Sequence, residues 1–266
     1  MSERAVPGWP APHAAGRRRG LLWVGVLLCV LTFVPPLSSW AARYECGEIL
    51  RYGLWAIAVP PLVALGTRWP NAASLAGARL RHPELGRAAG FLLLDWLVMV
   101  WWFTPLAVRT AATDRWLVPV EALTLIVAGI GLWLELVESP PLVPRVDGLR
   151  RAVLGALTMW FVWTEAYLVG MSQSGWYRNF GHVAGHGLSR AADQQVAAVV
   201  LWLIATVVLA PVIFVSALRW LHGAEEPDAE LRKLVKENRR GVGPFMERRS
   251  TVAREEGGGS AGGSAA

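Results

Sequence analysis

The chain has 266 residues, of which 54% are apolar and 17% charged, with a formal net charge of +6 and a mean hydropathy of +0.37. Soluble domains carry about 45–50% apolar and about 25% charged residues, so this balance excludes a soluble enzyme domain, a disordered chain and a disulfide scaffold. Fifteen Trp stand against four Tyr, and indole favours the membrane–water interface.

Residues 1–20 are rich in Pro, Ala and Gly and end in Arg17-Arg18-Arg19. A basic stretch before an apolar run is also how a signal peptide begins. The run over 21–40 is longer than the apolar core of such a peptide and carries no clear cleavage site. It predicts a first transmembrane helix, bent near Pro35-Pro36. Five further apolar blocks follow at 48–66, 90–111, 116–137, 152–171 and 196–221. Each approaches the roughly 20 residues that cross a bilayer core. Pro60, Pro61, Pro105, Pro119 and Pro211 lie inside them, which is tolerated where neighbouring helices or water satisfy the freed carbonyls. Gly129-Ile130-Gly131 would allow close helix approach. Residues 223–256 form a polar extension with a short helix expected over 225–240, and residues 257–266 are a flexible Gly/Ser/Ala tail. The predicted fold is all-α: a polytopic transmembrane helix bundle of about six spans, occupying residues 21–222.

Orientation follows from Lys and Arg in the loops. The N-terminal segment, the second and fourth loops and the C-terminal tail are rich in them. The odd loops hold few: Arg43 and Arg51 flank the first, Arg115 lies in the third, Arg178 and Arg190 lie in the fifth. This alternation predicts both termini in the cytoplasm, in a multi-pass protein of the cell's inner (plasma) membrane. With the basic residues so placed, the partners expected are the lipid bilayer and other membrane proteins, with no nucleic acid.

The fifth loop carries His182 and His186, four residues apart. On a helix both imidazoles would face one side and could share a metal. Copper and zinc accept imidazole, and copper(I) also accepts Met and Cys sulfur. Met171 closes the preceding span, and Cys46 and Glu48 sit in the first outer loop on the same face. His182, His186, Cys46, Glu48 and Met171 are therefore the candidate copper ligands. The plainer alternatives are a solvated His pair, since Gly181, Gly185 and Gly187 weaken a helix there, and a small residue at a helix entrance. Cys29 and Cys46 are too few for a disulfide framework.

Asp95, Glu121 and Glu165 fall within spans, and Glu135 lies near the end of one. An intramembrane carboxylate is costly and faces protein or water. The functional expectation is a proton or cation route. The plainer one is an interhelical contact, with Arg109, Tyr167 or Thr158 as partners. Asp193 is expected to cap the last span. There is no P-loop, dinucleotide fingerprint, His-Glu-x-x-His or nucleophile elbow, so no catalytic residue is assigned and no enzyme is expected.

Four motifs occur in order over residues 28–222. Ala58-Val59-Pro60-Pro61-Leu62-Val63-Ala64-Leu65-Gly66 resembles the "APPLLALG" stretch of CtaG-type cytochrome c oxidase assembly factors. Trp102-Phe103-Thr104-Pro105 is similar to that family's Trp-His-x-Pro, and Gly129-Ile130-Gly131-Leu132-Trp133 to its Gly-x-x-Phe-Trp. Asp193-Gln194-Gln195 with Trp202 resembles its Asp-Gln-Gln…Trp. The resemblance implies an integral membrane fold, often read with seven spans, and a role in haem–copper oxidase biogenesis. It also implies imidazoles at places where this chain has Glu48, Tyr52, Phe103 and Glu121 or Ala122. The expected function is a membrane accessory protein of oxidase assembly with a degenerate copper site. The alternatives are a permanent, metal-free structural subunit of a respiratory or other membrane redox complex, and a proton or ion transporter.

Overall fold

The computed structural model describes residues 12–67, 84–137, 146–172, 177, 180 and 189–239. These residues form helices and connecting turns, with no strand among them. The elements are α1 (Pro12–Leu31), α2 (Leu37–Ala41), α3 (Glu45–Gly53), a π-helical turn (Leu54–Ala58), α4 (Val59–Gly66), α5 (Glu84–Phe103), α6 (Pro105–Thr113), α7 (Leu117–Leu136), α8 (Gly148–Met171) and α9 (Arg190–Arg239). The expected all-α membrane bundle is what the chain forms. Five helical stretches among the described residues are long and apolar enough to cross a membrane: Glu45–Gly66, Gly86–Phe103, Leu117–Leu136, Gly148–Met171 and Arg190–His222.

Several boundaries differ from expectation. The first apolar block is not one bent helix over 21–40. Helix α1 stops at Leu31, a turn containing the cis Pro35-Pro36 bond follows, and α2 is a separate short helix. The block at 90–111 also breaks. Thr104 takes an extended conformation, its hydroxyl accepts the Ala107 N–H, and Pro105 opens α6. Proline fits there because the first-turn N–H has no helical partner in any case. The polar segment 225–240 is not a separate helix, for α9 runs unbroken to Arg239. The chain divides into two compact units, Met1–Ala217 and Leu218–Ala266.

Small residues set the packing. A Cβ on Gly129 of α7 would lie 2.6 Å from Pro60 Cγ, so only glycine lets α4 and α7 touch. A Cβ on Gly66 would overlap the backbone of Leu22, and one on Gly25 would press on Leu62 and Val63. The pairing 22 to 66 and 25 to 62 makes α1 and α4 antiparallel neighbours. Large apolar side chains such as Trp23, Leu97 and Val207 face outward, as helices bathed in lipid require. Polar groups are gathered inside.

Candidate functional site: a polar seam inside the bundle

The seam starts where α3, α8 and α9 meet. Helix α3 begins at Glu45 with no cap from Tyr44. Its first donors are met from far along the chain: Asp193 Oδ2 accepts the Glu45 N–H at 2.7 Å, and Oδ1 accepts the Cys46 N–H at 3.0 Å. A carboxylate suits a helix N-terminus, where free N–H groups and the helix dipole both favour negative charge. Asp193 thus caps another helix, not its own as expected; α9 is opened by the Ser189 hydroxyl, which accepts the Ala192 N–H at 3.2 Å. The neighbouring Gln194 amide donates to the carbonyls of Val169 and Ser172, at the end of α8. Two adjacent side chains therefore close the ends of two other helices.

One turn into α3, Arg51 Nη2 donates to Glu48 at 2.7 Å from Oε1 and 2.5 Å from Oε2. The guanidinium lies over the Trp55 ring, 5.0 Å from its centroid. Trp55 Nε1 donates to the Thr32 hydroxyl at 3.0 Å, and that hydroxyl donates to the Cys29 carbonyl at 2.6 Å. Arg51 lies within the predicted second span and flanks the first loop as expected; inside α3, a carboxylate one turn away and an indole face compensate its charge. Glu45, Cys46 and Glu48 likewise belong to α3 rather than to a loop. Glu121 of α7 is buried and interacts electrostatically with both Glu48 and Arg51.

A second group lies deeper. The Tyr52 hydroxyl is 3.1 Å from Glu165 Oε2, 3.4 Å from Oε1 and 3.2 Å from the Met99 carbonyl. A phenol has one proton, so it donates to one of these acceptors at a time. This contact ties α3 to α5 and α8. The partners expected for the intramembrane acids are elsewhere: Arg109 and Tyr167 are exposed, and Thr158 donates to the Leu154 carbonyl at 2.9 Å. Phe103 stacks at a tilt on Tyr52, with ring centroids 5.8 Å apart, and meets Tyr177 edge-on at 6.2 Å. Tyr177 donates to the Phe103 carbonyl at 2.9 Å, and its own carbonyl accepts from Arg190 Nη2 at 2.9 Å. Burial pushes the Tyr177 hydroxyl well above its ordinary value, helped by the carboxylates of Glu165, Glu45, Glu48 and Glu121. It stays protonated and so remains a donor. Asp95 on α5 is buried, and its Oδ1 has no hydrogen-bond partner among the described residues.

The candidate residues therefore separate. Cys46 is buried under Asp193 with a free thiol, and Glu48 is held by Arg51. Met171, the last residue of α8, is 60% exposed beside Trp163 and Trp202. His182 and His186 lie outside the described residues. Among the described residues no three His, Cys, Asp or Glu side chains are grouped to hold a metal. The positions where the resemblance implies imidazoles do converge: Glu48 and Tyr52 share α3, Tyr52 touches Phe103, and Glu48 interacts with Glu121. They offer carboxylates, a phenol and a phenyl ring beside a guanidinium. Copper(I) selects thiolate, thioether and imidazole, and these residues do not fit it. Arg51, Tyr52, Tyr177 and the interhelical role of Asp193 were not among the candidates. The Asp-Gln-Gln motif was the one signal that pointed to this junction.

No curated protein and no solved structure matches the chain. The model of one family, described as cytochrome c oxidase caa3 assembly factor (Caa3_CtaG), matches residues 3–223. That match covers nearly all of the membrane-spanning part and agrees with the four ordered motifs, so the chain belongs to the cytochrome c oxidase caa3 assembly factor family.

Proposed function

We propose that this chain serves haem–copper oxidase maturation as a membrane-embedded holding partner for an oxidase subunit, and that its interior works without copper. The observation that supports this is the internal pairing of the seam. Glu48 is bound by Arg51 and Glu165 by Tyr52, so the carboxylates that a metal would need are already engaged. A guanidinium inside the same group also repels an incoming cation. Holding requires no covalent step. It requires a rigid bundle, which the Asp193–Gln194 junction supplies, and an apolar outer face that a client helix can share with lipid. The distribution of Lys and Arg supports both termini in the cytoplasm and residence in the inner (plasma) membrane.

The test is purification of the tagged full chain from membranes that are making oxidase, in mild detergent, with metal analysis of the same sample. The expected result is a co-purifying oxidase subunit and a copper content unchanged by Glu48→Gln. A solitary protein overturns the holding role. Stoichiometric copper that is lost in Glu48→Gln overturns the copper-free interior. Presence of the chain at one copy per mature oxidase would make it a resident subunit rather than an assembly factor.

A further inference from the structure

Between α2, α3, α6 and the start of α7 lies a cavity of about 500 Å³. A water molecule takes about 30 Å³ of liquid volume, so the space suits a far larger guest. Its charged walls are Arg51, Arg115 and Glu48: two guanidinium groups against one carboxylate. Each cation keeps N–H donors that meet no acceptor among the described residues. Arg51 has Glu48 as its one hydrogen-bond acceptor among the described residues, and its Nε is buried without a partner. Arg115 is exposed and makes no hydrogen bond or ion pair with the described residues. The Ser38 hydroxyl, also in the wall, donates to none of them. Of these donors Arg51 Nε is the buried one, and buried donors are normally satisfied by protein, water or ligand.

The remaining wall combines the hydroxyl residues Thr32 and Ser39 with apolar side chains, Phe33, Val108 and Val118 among them. A guest that joins an oxyanion to an apolar body meets both kinds of wall. The depth agrees. The cavity sits at the end of the bundle where α1 finishes and α7 begins, which is the level of lipid headgroups when the helices span the bilayer. Planar guanidinium groups match phosphate oxygens well.

We propose that this cavity receives the phosphate of an anionic phospholipid, held between Arg51 and Arg115, with the upper acyl region against the α6–α7 wall. Glu121 is buried beside Arg51 but is not part of the wall, so the guest meets a net positive lining.

The experiment uses the full chain, delipidated in mild detergent and titrated with phosphatidylglycerol, phosphatidylcholine or inorganic phosphate. Native mass spectrometry reads retained lipid, and thermal unfolding reads protection. Phosphatidylglycerol should be retained and should raise the unfolding midpoint, and phosphatidylcholine should do so less. Arg115→Gln should weaken phosphatidylglycerol about tenfold, the loss expected for one charge-assisted hydrogen bond. Arg150→Gln, an exposed arginine at the opposite end of the bundle, should leave retention unchanged. The double variant Arg51→Gln/Glu48→Gln removes the pair without stranding a charge and should weaken retention again. Equal retention by the Arg115→Gln and parent proteins overturns the proposal. Protection by inorganic phosphate with no retained lipid overturns the lipid assignment.

Discussion

Among the described residues, two arginine–carboxylate pairs inside this bundle are built differently. At one end, Arg87 of α5 grips Glu135 of α7 with both arms: Nε reaches Oε1 and Nη2 reaches Oε2, each at 2.9 Å. At the other end, Arg51 and Glu48 share one helix and one amino group, beside a cavity. The first pair is fork to fork and joins two helices, so both charges are answered in a fixed geometry. The second leaves donors over and joins no helices. One end of the bundle is fastened by its ion pair. The other is fastened by the neutral and capping contacts of Asp193, Gln194 and Tyr52, and Arg51, though paired with Glu48, keeps donors that a guest can meet.

The largest expected effect tests the fastened end. Arg87→Met takes two charge-assisted hydrogen bonds from Glu135, which is fully buried, and should cost about 3–5 kcal/mol, as for other broken buried pairs. Denaturant unfolding in micelles measures this. The double variant Arg87→Met/Glu135→Leu should regain most of the loss, because no buried charge is left unpaired. A single-variant loss below about 1 kcal/mol would mean that water reaches Glu135, and the contrast between the two ends would vanish.

Glu48→Gln should cost less, about 2 kcal/mol, although it too removes a buried carboxylate from an arginine. The stranded Arg51 still faces Trp55 and an open cavity, where water can replace the lost acceptor. A loss equal to that of Arg87→Met would show that the cavity does not solvate Arg51.

Next comes Asp193→Ala. It frees the N–H groups of Glu45 and Cys46 at the start of α3 and should cost about 1–2 kcal/mol, the range for losing a helix cap. Hydrogen exchange should quicken at those two amides before any in α7. Uniform quickening across the bundle would show that the junction holds the whole fold rather than one helix end.

Much of the fold was legible because lipid imposes a simple code. Apolar blocks of bilayer length and basic residues between them mark the spans directly. The helix ends were less legible. Pro35-Pro36 read as a bend and Pro105 as tolerated inside a span, yet the first helix stops at Leu31 and the third block divides at Thr104. A proline marks trouble for a helix but does not say whether packing repairs it. The seam was the least legible. Asp193 meets residues 147 and 148 positions away, and Tyr52 meets Glu165 across 113. No periodicity encodes such pairs. The carboxylates were visible as anomalies in apolar sequence, but their partners belong to the packing. The burial of Arg51 and Arg87 was hidden for a related reason. Loop counting assigns basic residues near a span to the surface, and only a buried carboxylate and an aromatic face reverse that.

The smallest expected effect concerns Tyr52, whose hydroxyl fastens the end that holds Arg51. Tyr52→Phe keeps the ring on Phe103 and removes one oxygen, at the cost of a single hydrogen bond, about 1 kcal/mol. Glu165 then loses its phenol partner while the aromatic packing persists. Glu165→Gln makes the complementary change: the amide keeps a carbonyl that can accept from Tyr52 and gains two N–H donors that need acceptors. If the phenol and the carboxyl act as one contact, the double variant should cost less than the two single losses added together. Strict additivity would mean that Tyr52 serves the Met99 carbonyl alone, and that Glu165 is held by something other than α3.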